Sequence, residues 1–224
     1  MWLVVAEADD EAAAWAAEGL RHRGLRPLRL LTGCELSAGT VWEHRLGAAG
    51  VRTRLQLRDG TEVVDADLRG VLNRLTGRYV PPLPVCAEDA EYAACEYHAL
   101  LLSWLTSLPC PVLNRPGPVG MAAGNRSPMQ WRREAQRVGL PLAPPHECGT
   151  SQTVFAVAGR LAGDNHGNGI TTTGCARLSR SLGATIIAIE LSAGPRPTFR
   201  SATQLPDLRS GGPALLDVIA EELR

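Results

Sequence analysis

Trp2-Leu3-Val4-Val5-Ala6-Glu7-Ala8-Asp9-Asp10 opens the chain and sets its architecture. Trp2–Ala6 is an apolar run of strand length. Asp9 or Asp10 then offers a carboxylate to the free N–H groups of a helix reaching about Arg23, with Trp15 and Leu20 on its apolar side. Gly24 ends that helix with a residue that tolerates positive φ. Pro27–Leu31 reads as a second strand. Strand, helix and strand in this order predict a parallel α/β layer.

Working outward, Val51, Thr53, Leu55 and Leu57 alternate with Arg52, Arg54 and Gln56, and Asp59-Gly60 leads into Thr61–Asp65. That pattern predicts two strands joined by a tight turn. Gly70–Asn73 is a further short strand, and residues 81–87 are Pro-rich and read as loop. Glu88–Ser107 is the longest helical stretch. Tyr92, Cys95, Ala99 and Leu102 recur there at helical spacing, and an acidic start suits the helix dipole. Pro109 and Pro111 stop it, Pro111–Leu113 is the next strand, and residues 116–126 are a Gly/Pro/Ala-rich loop suited to a domain boundary.

In the second half, Ser127-Pro128-Met129-Gln130 predicts a helix start. Ser127 caps, Pro128 sits where no donor is needed, and Gln130 completes a capping box. This helix reaches Val138 and ends at Gly139. Pro145–Cys148 and Thr153–Ala158 read as strands, Gly163–Gly169 as a long turn, and Thr173–Leu182 as a helix ended by Gly183. Ala184–Leu191 and Thr198–Thr203 read as strands, and Pro213 opens a last helix.

The 224 residues contain no lysine, so all 23 strongly basic side chains are arginines. This removes lysine Schiff-base chemistry, a P-loop lysine and any lysine ammonium on a nucleotide phosphate. The arginines balance 23 acids, which argues against a general nucleic-acid or anionic-membrane surface. No apolar run is long enough to span a bilayer, and the acidic start does not resemble a signal peptide. The expectation is a cytoplasmic protein in which Cys34, Cys86, Cys95, Cys110, Cys148 and Cys175 are free thiols.

Val71-Leu72-Asn73-Arg74 returns as Val112-Leu113-Asn114-Arg115. Each ends a predicted strand, and ligands of open α/β sheets sit beyond the carboxyl ends of strands. Two guanidinium forks and two amides there could surround an anionic ligand. In the competing reading, Asn turns the chain while Arg is solvated or paired with an acid. The turn Gly163–Gly169 could expose N–H groups to an anion but lacks phosphate-loop spacing and reads better as a connection. Cys95 with His98, and His146 with Cys148, are metal-like fragments, yet neither is a complete half-site for tetrahedral zinc, and buried cysteine is the default. There is no Gly-x-Ser-x-Gly elbow. Glu91 and Glu96 read as solvated helix residues.

Taken in order, these pieces resemble the peptide-ligase branch of the ATP-grasp superfamily, the RimK-like enzymes that include the graspetide (microviridin-type) maturases. The opening through Arg58-Asp59-Gly60 to Val71-Leu72-Asn73-Arg74 is similar to the family's pre-ATP-grasp domain. The run Glu96 to Pro116, with Trp104-Leu105-Thr106-Ser107-Leu108-Pro109 leading into Val112-Leu113-Asn114-Arg115-Pro116, is the most specific match. Ser127–Gly139 followed by Leu140-Pro141-Leu142-Ala143-Pro144-Pro145 resembles the entry into the ATP-binding lobes.

The resemblance implies a Rossmann-like parallel-sheet domain over 1–118, followed by a small α+β remnant of the ATP-grasp lobes over 119–224. After residue 150 the pattern departs from the family. Thr153–Asp164 already resembles a late hairpin of the C-terminal lobe, so a central nucleotide-clamping lobe is expected to be missing. The family's first ATP lysine would fall near Ser127, beside Arg126. Its metal-binding Glu-x-Asn would fall on Ser201 and Thr203, while Glu190 keeps the acidic position on the preceding strand. Hard Mg²⁺ normally wants carboxylates. The expectation is therefore a non-catalytic, cofactor-free binding protein with a peptide or protein partner, self-association included, acting as an accessory subunit in peptide or natural-product modification. Its ligand-binding candidates are Asn73, Arg74, Asn114, Arg115, Arg126 and Glu190. The alternative is a shortened ligase that holds ATP and Mg through arginines or with a partner chain.

Overall fold

The computed structural model describes residues 1–37, 40–48, 50–76, 85–117, 120–122, 126–144, 149–163, 169–183 and 185–224. The strand expected at Pro145–Cys148, with His146 and Cys148, lies outside them, as do most of the turn Gly163–Gly169 and residues 81–84 of the Pro-rich loop. The chain forms two compact units, Met1–Ala122 with Leu223–Arg224, and Ala123–Glu222.

The first unit begins with β1 (Trp2–Ala6), α1 (Glu11–His22) and β2 (Leu28–Thr32). Asp10 caps α1 by accepting from the Ala13 N–H at 2.9 Å, and Gly24 turns the chain at φ +85°. The buried face of α1 is built from Ala12, Ala13, Ala16, Ala17 and Leu20. Trp15 is only half-buried, because small alanines let the helix lie close on the sheet. Then follow α2 (Gly33–Ser37), β3 (Val41–Gly47), β4 (Gly50–Gln56), β5 (Glu62–Val64), β6 (Gly70–Asn73), α3 (Ala90–Ser107) and β7 (Val112–Leu113).

β2-β1-β6-β7 is a parallel sheet, and β3-β4-β5 a separate antiparallel one. All five residues of β1 are buried, as the central strand of a parallel layer requires. Gly70 has a specific role, because a Cβ there would stand 2.6 Å from the Leu223 carbonyl oxygen.

Two expectations need correction. The sequence reading gave no element between Thr32 and Val51, where α2 and β3 form. On α3, the stripe Tyr92, Cys95, Ala99 and Leu102 is not the buried one: Tyr92 is 69% exposed, Cys95 is exposed, and the buried residues are Leu101, Trp104 and Leu105. α3 is apolar on several sides, so its periodicity offered more than one stripe. The core takes the one carrying Trp104, which meets Trp42 edge-on at 5.2 Å.

The second unit holds α4 (Pro128–Arg137), β8 (Ser151–Val157), β9 (Arg160–Leu161), α5 (Gly169–Ser181), β10 (Ile186–Ser192), β11 (Phe199–Thr203) and α6 (Gly212–Glu222). Both bonds of the Ser127/Gln130 capping box form, and Gly139 ends α4 at φ +81°. α5 begins earlier than its sequence signal. β11-β10-β8-β9 is antiparallel. Its inner face, with Val154, Ala156, Ile187 and Ile189, shares a core with Trp131 and Leu178. The mixed α/β class expected from the sequence is the one found. Among the described residues, no helix is long and apolar enough to cross a membrane.

Candidate functional site

The repeated Asn-Arg pairs sit at the carboxyl ends of neighbouring parallel strands, since Val71 faces Val112 and Leu72 faces Leu113. Asn73 and Asn114 are both fully buried. Each amide donates to the other's backbone carbonyl, both at 2.9 Å. The Asn73 amide also donates to the Met121 carbonyl at 2.8 Å, and its oxygen accepts from the Leu75 N–H at 3.1 Å. Asn114 has φ +58°, a left-handed conformation that asparagine tolerates better than most residues.

The two guanidiniums face different partners. Arg74 is 6% exposed. Its Nε donates to Asp10 Oδ2 at 2.6 Å and its Nη2 to Oδ1 at 3.3 Å, a forked ion pair with the residue that caps α1. Arg115 donates to the carbonyls of Leu105, Thr106, Leu108 and Cys110. Leu105 and Thr106 lie in the last turn of α3, whose carbonyls lack helix partners, and a cation there also suits the helix dipole. This end of the sheet is a closed network, so its groups shape the surface more than they reach beyond it.

The other two candidates lie in the second unit. Arg126 stacks over the Trp131 ring at 5.5 Å. Its Nη1 is shielded from solvent and has no hydrogen-bond partner among the described residues. Glu190 faces Ser201 on one side and Thr153 on the other. It accepts from the Ser201 hydroxyl at 2.7 Å. That bond, a second from the Ser151 hydroxyl and the nearby Arg200 hold its carboxyl below the usual glutamate range. Ser201 and Thr203 alternate on the same exposed side of β11. Here one half-buried carboxylate stands among exposed hydroxyls, at the end of a sheet face that buries Ile186 and Ala188.

Among the described residues this donor set does not suit Mg²⁺, which would find a single carboxylate already engaged by hydroxyl donors. Among the described residues, no three His, Cys, Asp or Glu side chains converge as metal ligands. Cys95 is exposed, while burial raises the Cys110 thiol and pushes Cys175 up to about 12.

Sequence reasoning passed over a cavity of about 440 Å³ in the first unit, lined by Arg29, Cys34, Glu35, Leu57, Arg58 and Asp59. Asp59 accepts from the Thr61 N–H and from Arg29 at 2.7 Å, which lowers its pKa to about 2. Asp59-Gly60 signalled a turn, and the cavity needs α2, which the sequence did not reveal.

No family model matches the sequence, and no curated protein matches it either. Solved structures do match the fold. The macrocyclase MdnC bound with precursor peptide MdnA, from Microcystis aeruginosa MRC, has a TM-score of 0.75 at 12% identity, over 99% of this chain and 98% of that one. A Chryseobacterium gregarium RiPP-associated ATP-grasp ligase, in complex with ADP and a leader and core peptide, gives 0.67 at 11% identity, over 99% and 96%. The RimK domain protein ATP-grasp from Sphaerobacter thermophilus DSM 20745 gives 0.52 at 15% identity, over 100% and 99%. The chain therefore has the fold of the ATP-grasp ligases, as its sequence resemblance implied.

Proposed function

We propose that this ATP-grasp fold serves as a non-catalytic module. It binds a peptide or protein partner and acts beside a modifying enzyme in peptide or natural-product biosynthesis. A shared fold at such low identity does not carry an activity with it, so the reading has to rest on the site. The observation that carries it is the face around Glu190, where Ser201 and Thr203 stand at positions that the sequence resemblance equates with metal ligands. A lone carboxylate among hydroxyls is poorly equipped for Mg·ATP and well equipped to hydrogen-bond a polar chain. The absence of lysine points the same way. A missing central lobe belongs to the same proposal, since thirteen residues of sequence, 138–150, separate α4 from β8.

The likeness to ligases whose structures hold precursor peptides supports a peptide as the partner. In this reading Arg126 and Glu190 make the contacts, and Asn73, Arg74, Asn114 and Arg115 frame the sheet end. The decisive measurement is calorimetric titration of the pure protein with Mg·ATP, where no heat of binding is expected. Tight, Mg²⁺-dependent binding would sink the proposal. Titration with the peptides encoded beside the gene should give saturable binding that Glu190→Ala weakens.

A second reading is a shortened ligase using ATP and Mg. One observation favours it: Arg126 over Trp131 is a shielded guanidinium edge that could accept an anion. ADP release with a mass change in a co-encoded peptide would establish it.

A further inference from the structure

β3 is the edge of the β3-β4-β5 sheet, and among the described residues no strand pairs with its outer side. Its register with β4 runs from Val41–Gln56 to Gly47–Gly50 without a bulge. The strand contains no proline, and Val41 and Leu46 are 65% and 67% exposed. Long, regular edge strands with exposed apolar residues invite another strand unless something blocks them.

The sequence Val41-Trp42-Glu43-His44-Arg45-Leu46-Gly47 is self-complementary. Outward N–H and C=O groups alternate along a strand, so two copies pairing antiparallel must oppose residues of the same parity. Centring on His44 opposes Val41 with Gly47, Trp42 with Leu46 and Glu43 with Arg45, each twice. Centring on Glu43 or Arg45 sets that charge against its own copy, which is unfavourable. Charges on an edge deter pairing when they are alike. Glu43 and Arg45, in contrast, become complementary when the strand is read against itself.

Within its own sheet Arg45 faces Arg52, a like-charge pair, and its acidic neighbour is Glu43 of the same strand. A second copy would place another glutamate on the side of Arg45 away from Arg52. The side chains of Arg45 and Glu43 are 78% and 44% exposed, so both can reach outward. Inward-facing His44 is held by Thr53 at 2.9 Å and Ser103 at 2.8 Å, which fixes the centre of the strand against α3.

We infer that β3 is a homodimer interface, joining two copies of this chain by antiparallel pairing centred on His44. The test is sedimentation of the full chain across the micromolar range with two charge variants. The wild type should dimerise, and Glu43→Arg and Arg45→Glu should each raise the dimer Kd by roughly tenfold or more, because each opposes like charges. Mixing the two variants should restore a dimer, since one chain then presents two arginines on its edge and the other presents two glutamates opposite them. Circular dichroism of each variant checks that the sheet has folded. A monomeric wild type, a dimer kept by both single variants, or a mixture no tighter than its components would each overturn the assignment. So would a monomer whose β3 amides slow their exchange only when a peptide is added, because the edge would then belong to that peptide.

Discussion

At the ends of β6 and β7, Asn73, Arg74 and Asn114 are buried, Arg115 is half-buried, and all four bond to the protein itself. Asn73 and Asn114 brace two strands, Arg74 holds the cap of α1, and Arg115 closes α3. At the exposed end of the β10–β11 face, Glu190 meets hydroxyls at the surface. Both regions supply the residue types that bind ligands, but burial separates their consequences. A buried polar group must have its partner inside, so its removal acts on folding. An exposed one can exchange partners with water, so its removal leaves the fold and acts on whatever docks there.

The comparison is strained most by Asp10→Asn. Asparagine still caps a helix well, so α1 keeps its start while the carboxylate opposite Arg74 is lost. Removing the carboxylate from this buried ion pair should cost about 3 kcal/mol or more. A urea denaturation curve with an unchanged slope and an earlier midpoint would show this. A midpoint equal to the wild type would mean that the Asp10–Arg74 pair adds nothing to folding.

Asn73→Ala comes next. It removes both amide donors and the acceptor for Leu75, and with them three hydrogen bonds. At roughly 1 kcal/mol for each bond lost, the expected loss is about 3 kcal/mol. A smaller loss accompanied by weaker peptide binding would move Asn73 from framework to contact.

Much of the fold was legible because its signals are local. The apolar run of β1, the Asp10 cap, the Ser127/Gln130 box and the Asp59-Gly60 turn each involve residues within a few positions of one another. β3 was not legible: Val41 is apolar yet faces out, and His44 is polar yet faces in, so alternation fails at two of its seven residues. The candidate residues were found, but their partners could not be. Arg74 pairs with an aspartate 64 positions away, and Arg115 binds carbonyls, which every residue carries. A repeated Asn-Arg motif therefore reads the same whether it holds a ligand or holds the sheet.

The smallest effect is expected from Ser201→Ala, and it tests the open side of the comparison directly. The Ser201 hydroxyl is the largest contributor holding the Glu190 carboxyl below its ordinary value. A carboxyl with a lowered folded pKa stabilises the native state above its unfolded pKa, and that contribution is lost as pH falls through the folded value. Ser201→Ala should raise the Glu190 pKa toward the ordinary glutamate value, measurable by following its side-chain carbonyl signal against pH. At neutral pH the stability change should stay within about 0.5 kcal/mol, as for other surface substitutions. Once pH falls below the lowered Glu190 value of the wild type, the variant and the wild type should converge, because both carboxyls are then protonated. If stability instead falls by as much as for Asn73→Ala, this face is framework like the first, and the contrast between the two regions is lost.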